Sequence, residues 1–372
     1  MRVLHVVATG QRRGAEIFTA DLVAALDQIG VAQRVAVLRS VDGPGLSFGA
    51  PTTLLGADAW TVPGVRMSAS GARALRQAIR GWLPDVVQAH GGEALKYAVL
   101  TAVRTGCRVI YRRIGSTPQS ISRGARRTVY GQLMGRAARV VAVADAVRAE
   151  TLEVFRLPAS QVVTIPNAVD ARRLVATRER AAVRRELEIP EDAEVVLSLG
   201  ALTWEKDPIA HVRIAAEVLA ERPRAWHLIV GDGPMLEQVW GAVGQSPDGA
   251  RVRLVGARAD VGDILVASDV LLFASCSEGM PATVIEAGIA GVPVAGYAVA
   301  GVAEVVESGV TGLLAEPGDA TRLGEYVATL LADGPGRRAM GVAARERCLG
   351  RFDIRAVAPR YLELYRSLAV SA

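Results

Sequence analysis

Between Asp269 and Ala295 the sequence reads as strand, loop, helix and strand. Asp269-Val270-Leu271-Leu272-Phe273 is a short apolar run, the pattern of a strand buried on both faces of a parallel sheet. The loop Ala274-Ser275-Cys276-Ser277-Glu278-Gly279-Met280 follows, then a small-residue helix, then Val292-Pro293-Val294-Ala295. Pro281 is expected at the first helical position, where its fixed φ fits and its missing N–H costs nothing. Gly291 marks the stop. A unit of this kind needs an open α/β sheet with helices on its faces.

The same unit carries two acids. Glu278 falls in the loop at a strand's carboxyl end, where open α/β sheets bind ligands. Glu286 falls inside the helix among Val284, Ile285, Ala287 and Ile289, where an unpartnered carboxylate is costly. The helix N-terminus offers N–H groups and a positive dipole end, a seat for phosphate. A phosphate there, one acid before it and one a turn and a half inside, suits a nucleotide sugar. Glu286 would take the ribose diol, and Glu278 would face the sugar. A solvated Glu278, with Glu286 paired to an arginine of a neighbouring helix, satisfies the same residues.

At 372 residues the chain is comfortable for two domains. Cys107, Cys276 and Cys348 have no metal or redox spacing, which fits a reducing compartment. Met1 to Val7 reads as a strand rather than a signal peptide, and no apolar run approaches the roughly 18–20 residues of a membrane span. A cytoplasmic protein is expected. Residues 1–170 hold 21 basic and 11 acidic residues (net +10), and the remainder is net −5. The basic half should meet something anionic, such as a lipid surface or a phosphorylated acceptor. Arg123, Arg126 and Arg127 are the densest part of it. Nothing points to nucleic acid.

Along the chain, apolar runs of strand length alternate with helical segments. Val3 to Ala8 leads into the glycine-punctuated loop Thr9 to Glu16 and a helix over Ala15–Ile29. The G-x-G-x-x-G spacing of dinucleotide sites is absent. Residues 41–64, with Gly43, Pro44, Gly45, Gly49, Pro51, Pro63 and Gly64, read as loop. A helix is expected over Ser70–Trp82, and strands over Pro84–His90, Arg108–Gly115 and Ala138–Ala144. Residues 171–192 are charged and read as a connection. The second half opens with the strand Val195–Gly200 and continues through Trp226–Gly231 and Val252–Gly256. The last helix, from Ile354 through Ala358, Leu362 and Tyr365, has an apolar stripe.

The string from Ser268 through Glu278, Gly279, Pro281 and Glu286 to Gly291-Val292-Pro293, followed by Gly309-Val310-Thr311-Gly312-Leu313-Leu314, resembles the paired-glutamate motif of the retaining glycosyltransferases of family 4 (glycosyl transferases group 1). That resemblance implies the GT-B fold: α/β, two Rossmann-like domains facing an interdomain cleft, and a C-terminal helix crossing back to the first domain. The domains would be 1–170 (acceptor side, with helix 354–372), a linker at 171–192, and 193–353 (donor side). It implies a retaining, metal-independent transfer of a sugar from a nucleotide-diphosphate sugar, with no cofactor beyond that substrate. Glu278 and Lys206 would be catalytic. Gly14, Lys206, Gly231, Glu278, Gly279, Met280, Pro281, Thr283, Val284 and Glu286 would bind the donor. His90, Arg112 and Arg113 would line the acceptor side.

Two departures from the family pattern stand out. An arginine usually follows the glycine that ends the strand at Gly200, and here Ala201 takes its place while Lys206 is kept. A histidine usual near the transferred sugar is replaced by Arg113, which cannot be a general base but could grip a carboxylate or phosphate. A sugar-nucleotide epimerase of the same fold, or a catalytically weak nucleotide-binding partner protein, would also fit these residues.

Overall fold

The computed structural model describes residues 1–41, 45–57, 67–102, 105–117 and 119–369. The chain divides into two compact units, Met1–Ala168 with Ile354–Ala372, and Val169–Asp353.

The first unit is built on a parallel sheet of β1 (Arg2–Val7), β2 (Ala32–Val37), β3 (Thr52–Leu54), β4 (Val86–His90), β5 (Arg108–Arg113), β6 (Arg139–Ala142) and β7 (Val162–Thr164). The strand order is β3-β2-β1-β4-β5-β6-β7. All five residues of β4 are buried, as apolar runs between two helical layers require. The stretch read as loop contains β3, a three-residue exposed edge strand with no apolar alternation to betray it. Gly43, Pro44, Pro63 and Gly64 lie outside the described residues.

Helix Ile354–Ala369 belongs to this unit. Ile354, Val357, Ala358, Tyr361, Tyr365 and Leu368 recur at helical spacing and share one core with Val3, Phe18, Leu22, Val86, Ile110 and Val141. The Tyr365 hydroxyl donates to the Gln88 side-chain oxygen, so even the polar end of this ring is satisfied.

The second unit holds β8 (Glu194–Leu199), β9 (Ala225–Val230), β10 (Val252–Leu254), β11 (Val270–Phe273), β12 (Val294–Tyr297) and β13 (Gly312–Ala315). All pairs are parallel, in the order β10-β9-β8-β11-β12-β13. That is the doubly wound order, and it reverses between β8 and β11. The helices sort into two layers. Pro208–Glu221 packs with Leu236–Gln245 and Ala320–Ala332, whereas Ala282–Ala290 packs with Val261–Ala267 and Gly334–Phe352.

Residues 171–192 are built into the second unit, with a helix at Arg180–Glu186. Arg184 is 1% exposed and donates to the carbonyls of Ala267, Glu191 and Ala193 and to Asp269. Asp269 also accepts from Arg180, Arg337 and the Val195 N–H. A buried guanidinium is tolerable only with its donors satisfied, and here carbonyls of Glu191, Ala193 and Ala267 and the Asp269 carboxylate satisfy them, fastening the segment that looked like a linker to the second unit.

All four histidines of the chain are buried: His5, His90, His211 and His227. Burial pushes His5 and His211 down to about 4, His227 to about 3, and His90 well below the usual value. In the unfolded chain each titrates near ~6.5, so below that pH the unfolded state binds more protons. Their contribution to stability is full above about pH 6.5 and is lost as pH falls through the folded values. We expect thermal midpoints to fall steeply from about pH 6.5 to 4, at roughly 1 kcal/mol per histidine per pH unit. A midpoint unchanged over that range would contradict the burial assigned to these rings.

Candidate functional site

Two loops of the second unit leave the carboxyl ends of β8 and β11, the strands flanking the reversal of strand order. The first runs from Gly200 to Asp207. Lys206 sits in the single 3₁₀ turn Trp204–Lys206, and Asp207 follows at φ 44°. The Asp207 carboxylate accepts the Ala210 N–H at 3.1 Å and so caps the helix Pro208–Glu221. Asp-Pro is a helix start on two counts, and it fixes Lys206 immediately before a rigid element.

The second loop runs from Ala274 to Pro281. Its Cys276 N–H donates to the Glu205 carbonyl at 3.0 Å, and its Gly279 carbonyl accepts from Gly301 N–H at 2.8 Å. Pro281 caps the helix Ala282–Ala290 with no side-chain hydrogen bond, one position earlier than expected. Gly291 closes that helix at φ 79°, as its position in the sequence suggested.

The Lys206 ammonium is ion-paired with Glu278. It also lies 5.8 Å from the Phe273 ring centroid. The Glu278 side chain is only 11% exposed, so the pair is poorly screened. Glu286 is buried one turn inside the helix. The Arg173 guanidinium stands 3.9 Å from its Oε1, beyond hydrogen-bond reach but within ionic attraction. Two hydroxyls here, Ser275 Oγ and Thr283 Oγ1, are buried without a hydrogen-bond partner. An unsatisfied buried hydroxyl is costly and asks for an explanation. A small pocket, open to solvent, is lined by Gly200, Ala201, Lys206, His211, Phe273 and Ser275 among others.

Other expected donor residues are placed less directly. Met280, Pro281 and Val284 are buried, so their side chains face the interior and only backbone groups are offered. Pro281 has no N–H at all, and its contribution is its fixed φ. Gly231, at the end of β9, donates its N–H to the Gly256 carbonyl. A Cβ there would fall 1.8 Å from the Gly200 carbonyl oxygen, so backbone crowding alone demands glycine. In the first unit, Gly14 is the exposed first residue of the helix Gly14–Asp27, which no side chain caps.

The expected acceptor residues are committed to packing. Arg112 is 2% exposed, lies 3.6 Å over the Phe18 ring and donates to Asn167 Oδ1 at 2.7 Å. Arg113, on the opposite face of β5, is also buried; it donates to Thr117 Oγ1 at 2.6 Å and pairs with Glu150 at 3.6 Å. Neither presents a free guanidinium to an anion, because the pleat turns one toward each helical layer. His90 is buried too, with Nε2 3.1 Å from His5 Nδ1. His5 in turn meets Gln33 Oε1 at 3.1 Å. The His90 Nδ1 has no partner.

Residues 179–347 match the family model described as glycosyl transferases group 1, and residues 12–173 match the one described as glycosyltransferase family 4. The chain belongs to the family 4 glycosyltransferases. It is similar to N-acetyl-alpha-D-glucosaminyl L-malate synthase of Bacillus anthracis, 30% identical over 61% of this chain and 58% of that protein. It is also similar to D-inositol 3-phosphate glycosyltransferase of Kineococcus radiotolerans, 32% identical over 63% of this chain and 58% of the relative. The matched region thus spans less than two thirds of these relatives' length. Among solved structures, Anabaena Alr3699/HepE in complex with UDP and glucose superposes with TM-score 0.84 at 21% identity, over 99% of this chain and 100% of that one. Sucrose-phosphate synthase from Thermosynechococcus elongatus superposes with TM-score 0.87 at 21% identity, over the whole of both chains. At such identities the likeness shows the fold, that of the GT-B glycosyltransferases.

For a family 4 glycosyltransferase, the sequence concealed several residues of this region. Ser275, Arg173 and His211 carry no motif of their own. Ser198 and His227 could have been noticed as polar residues inside otherwise apolar strands. Gly231→Ala should destabilise the second unit by about 3 kcal/mol or more, measured by denaturant unfolding, because backbone rather than a flexible side chain must yield. A loss under about 1 kcal/mol would mean that β8 and β9 part more easily than their crowding indicates.

Proposed function

We propose that this glycosyltransferase moves a sugar, with retention of configuration, from a nucleoside-diphosphate sugar to an anionic acceptor that is phosphorylated or lipid-linked. One observation carries most of this. A lysine and a glutamate from two separate loops meet just before an uncapped helix, with one unpartnered buried hydroxyl in its first turn, Thr283, and another in the loop that leads to it, Ser275. The diphosphate would rest on the first-turn N–H groups and the Thr283 hydroxyl. Lys206 would meet the charge that builds on the leaving oxygen, the kind of fixed electrostatic contact that contributes most to such reactions. Glu278, released from Lys206 by the incoming phosphate, would accept sugar hydroxyls. Glu286 would accept the ribose diol.

In the step itself the anomeric carbon–oxygen bond breaks with its electron pair going to the diphosphate. The acceptor oxygen bonds to the same face of the sugar, and its proton passes to the departing phosphate oxygen. Leaving-group charge is met by Lys206 and the helix dipole, so the scheme has no part for a metal. The anionic acceptor is supported by the exposed Arg123, Arg126 and Arg127 at the start of helix Gly124–Gly135. The same arginines would give peripheral contact with an anionic membrane. No helix among the described residues is long and apolar enough to cross one. The name of the inositol phosphate relative is in keeping with a phosphorylated acceptor.

With UDP and UDP-glucose as probes, Glu286→Ala should weaken UDP binding at least about tenfold by calorimetry, since a buried acceptor of two hydrogen bonds is removed. Lys206→Ala should lower turnover about 10²–10³-fold. Normal turnover in Lys206→Ala would remove the assigned role. Release of a modified free sugar in the absence of any acceptor would point to an epimerase instead.

A further inference from the structure

At the reversal point, β8 and β11 stop pairing early. Their register runs Val196 with Val270 and Leu197 with Leu271, and no further. Beyond it the two strands part, because their following helices lie in different layers. Ala274 is fully buried just past this point, and its N–H needs an acceptor that the sheet no longer supplies. The acceptor is His211 Nε2, at 3.0 Å, reaching in from the helix Pro208–Glu221.

That contact fixes the rest of a chain of bonds. A backbone N–H can only donate, so His211 Nε2 is bare and Nδ1 carries the proton. Nδ1 then donates to Ser198 Oγ at 2.8 Å. The Ser198 hydroxyl, with two acceptor lone pairs and one proton, also meets His227 Nε2 at 2.8 Å. All three side chains are under a tenth exposed. The chain therefore links β9, β8, the helix after Lys206 and the first residue of the loop that carries Glu278.

We infer that His211 is a positioning residue: its imidazole, held in one tautomer by Ser198 and His227, fills the gap between the parting strands and sets the Glu278 loop in register with Lys206. The Cys276 bonds to Glu205 and Asp207 and the Gly279–Gly301 bond hold the loop farther along, and at its root, Ala274, the described contact to the Lys206 side is that of His211. The inference rests on the donor-site assignment only for its binding arm.

Glutamine places an oxygen about where Nε2 lies, and asparagine places its amide about where Nδ1 lies. In His211→Gln the peptide spanning 274–281 should exchange its amide hydrogens at close to the parent rate. In His211→Asn it should exchange about tenfold faster, relative to the β12 peptide 294–297 of the same sample. UDP affinity should fall about tenfold in His211→Asn and be largely restored in His211→Gln. Equal exchange in the two variants, or equal loosening of β12, would overturn the inference. In the unsubstituted protein, ¹⁵N imidazole shifts should show a bare Nε2 nitrogen on His211. A protonated Nε2 on His211 would overturn it without any variant. If UDP fails to bind the parent protein, the donor assignment falls, while the exchange and tautomer results still decide the role of His211.

Discussion

The second unit depends on the parting of β8 and β11. Parallel strands whose crossover helices leave to opposite layers cannot stay paired to their tips, so a crevice opens there without any side chain having to create it. Everything the site offers is hung on its two lips. Gly200 and the turn to Lys206 form one; Ala274 to Pro281 and the helix behind it form the other. The price of the crevice is backbone polarity left without a ladder partner, and the molecule meets it with buried polar side chains rather than with water alone.

The electrostatics follow from the same geometry. Lys206 and Glu278 come from loops 72 residues apart and neutralise each other in the absence of substrate. Under the proposed function, a phosphate at the helix N-terminus would compete for the ammonium and leave the glutamate available to a sugar hydroxyl. Asp269 shows the contrasting use of charge. Three arginines and a backbone N–H saturate it, leaving no capacity for a ligand, and its work is to fasten the residues after 171 to the start of β8.

Much of the fold was legible from residue pattern. Buried parallel strands are short apolar runs, and Pro, Gly and Asp punctuate the helices at positions where their backbone preferences act. β3 was not legible, because an exposed three-residue edge strand has neither length nor alternation. The segment 171–192 reads as a connection because charge usually means solvent; here Arg184 is buried, and Arg178, Arg180 and Arg184 spend their donors on Asp260, Asp263 and Asp269 of the second unit. In the candidate site, Glu278 and Glu286 could be singled out from type and spacing, and Lys206 from the family resemblance. Arg112 and Arg113 show the limit: adjacent strand residues point to opposite faces, and sequence alone does not say that a guanidinium will be stacked on Phe18. Ser198, His211 and His227 lie 13 and 29 residues apart, and only the topology brings them together.

The return of residues 354–368 to the first unit has a bearing on how the molecule assembles. The second unit is continuous in sequence, and all of its strand neighbours are present once residue 353 has been made. The first unit lacks Ile354, Val357, Tyr361 and Tyr365 until the whole of the second unit has been made, although Val3 and Phe18 precede it. Its closure carries the largest loop entropy in the chain. Vectorial synthesis therefore favours an order in which the later half matures first and the earlier half is completed last.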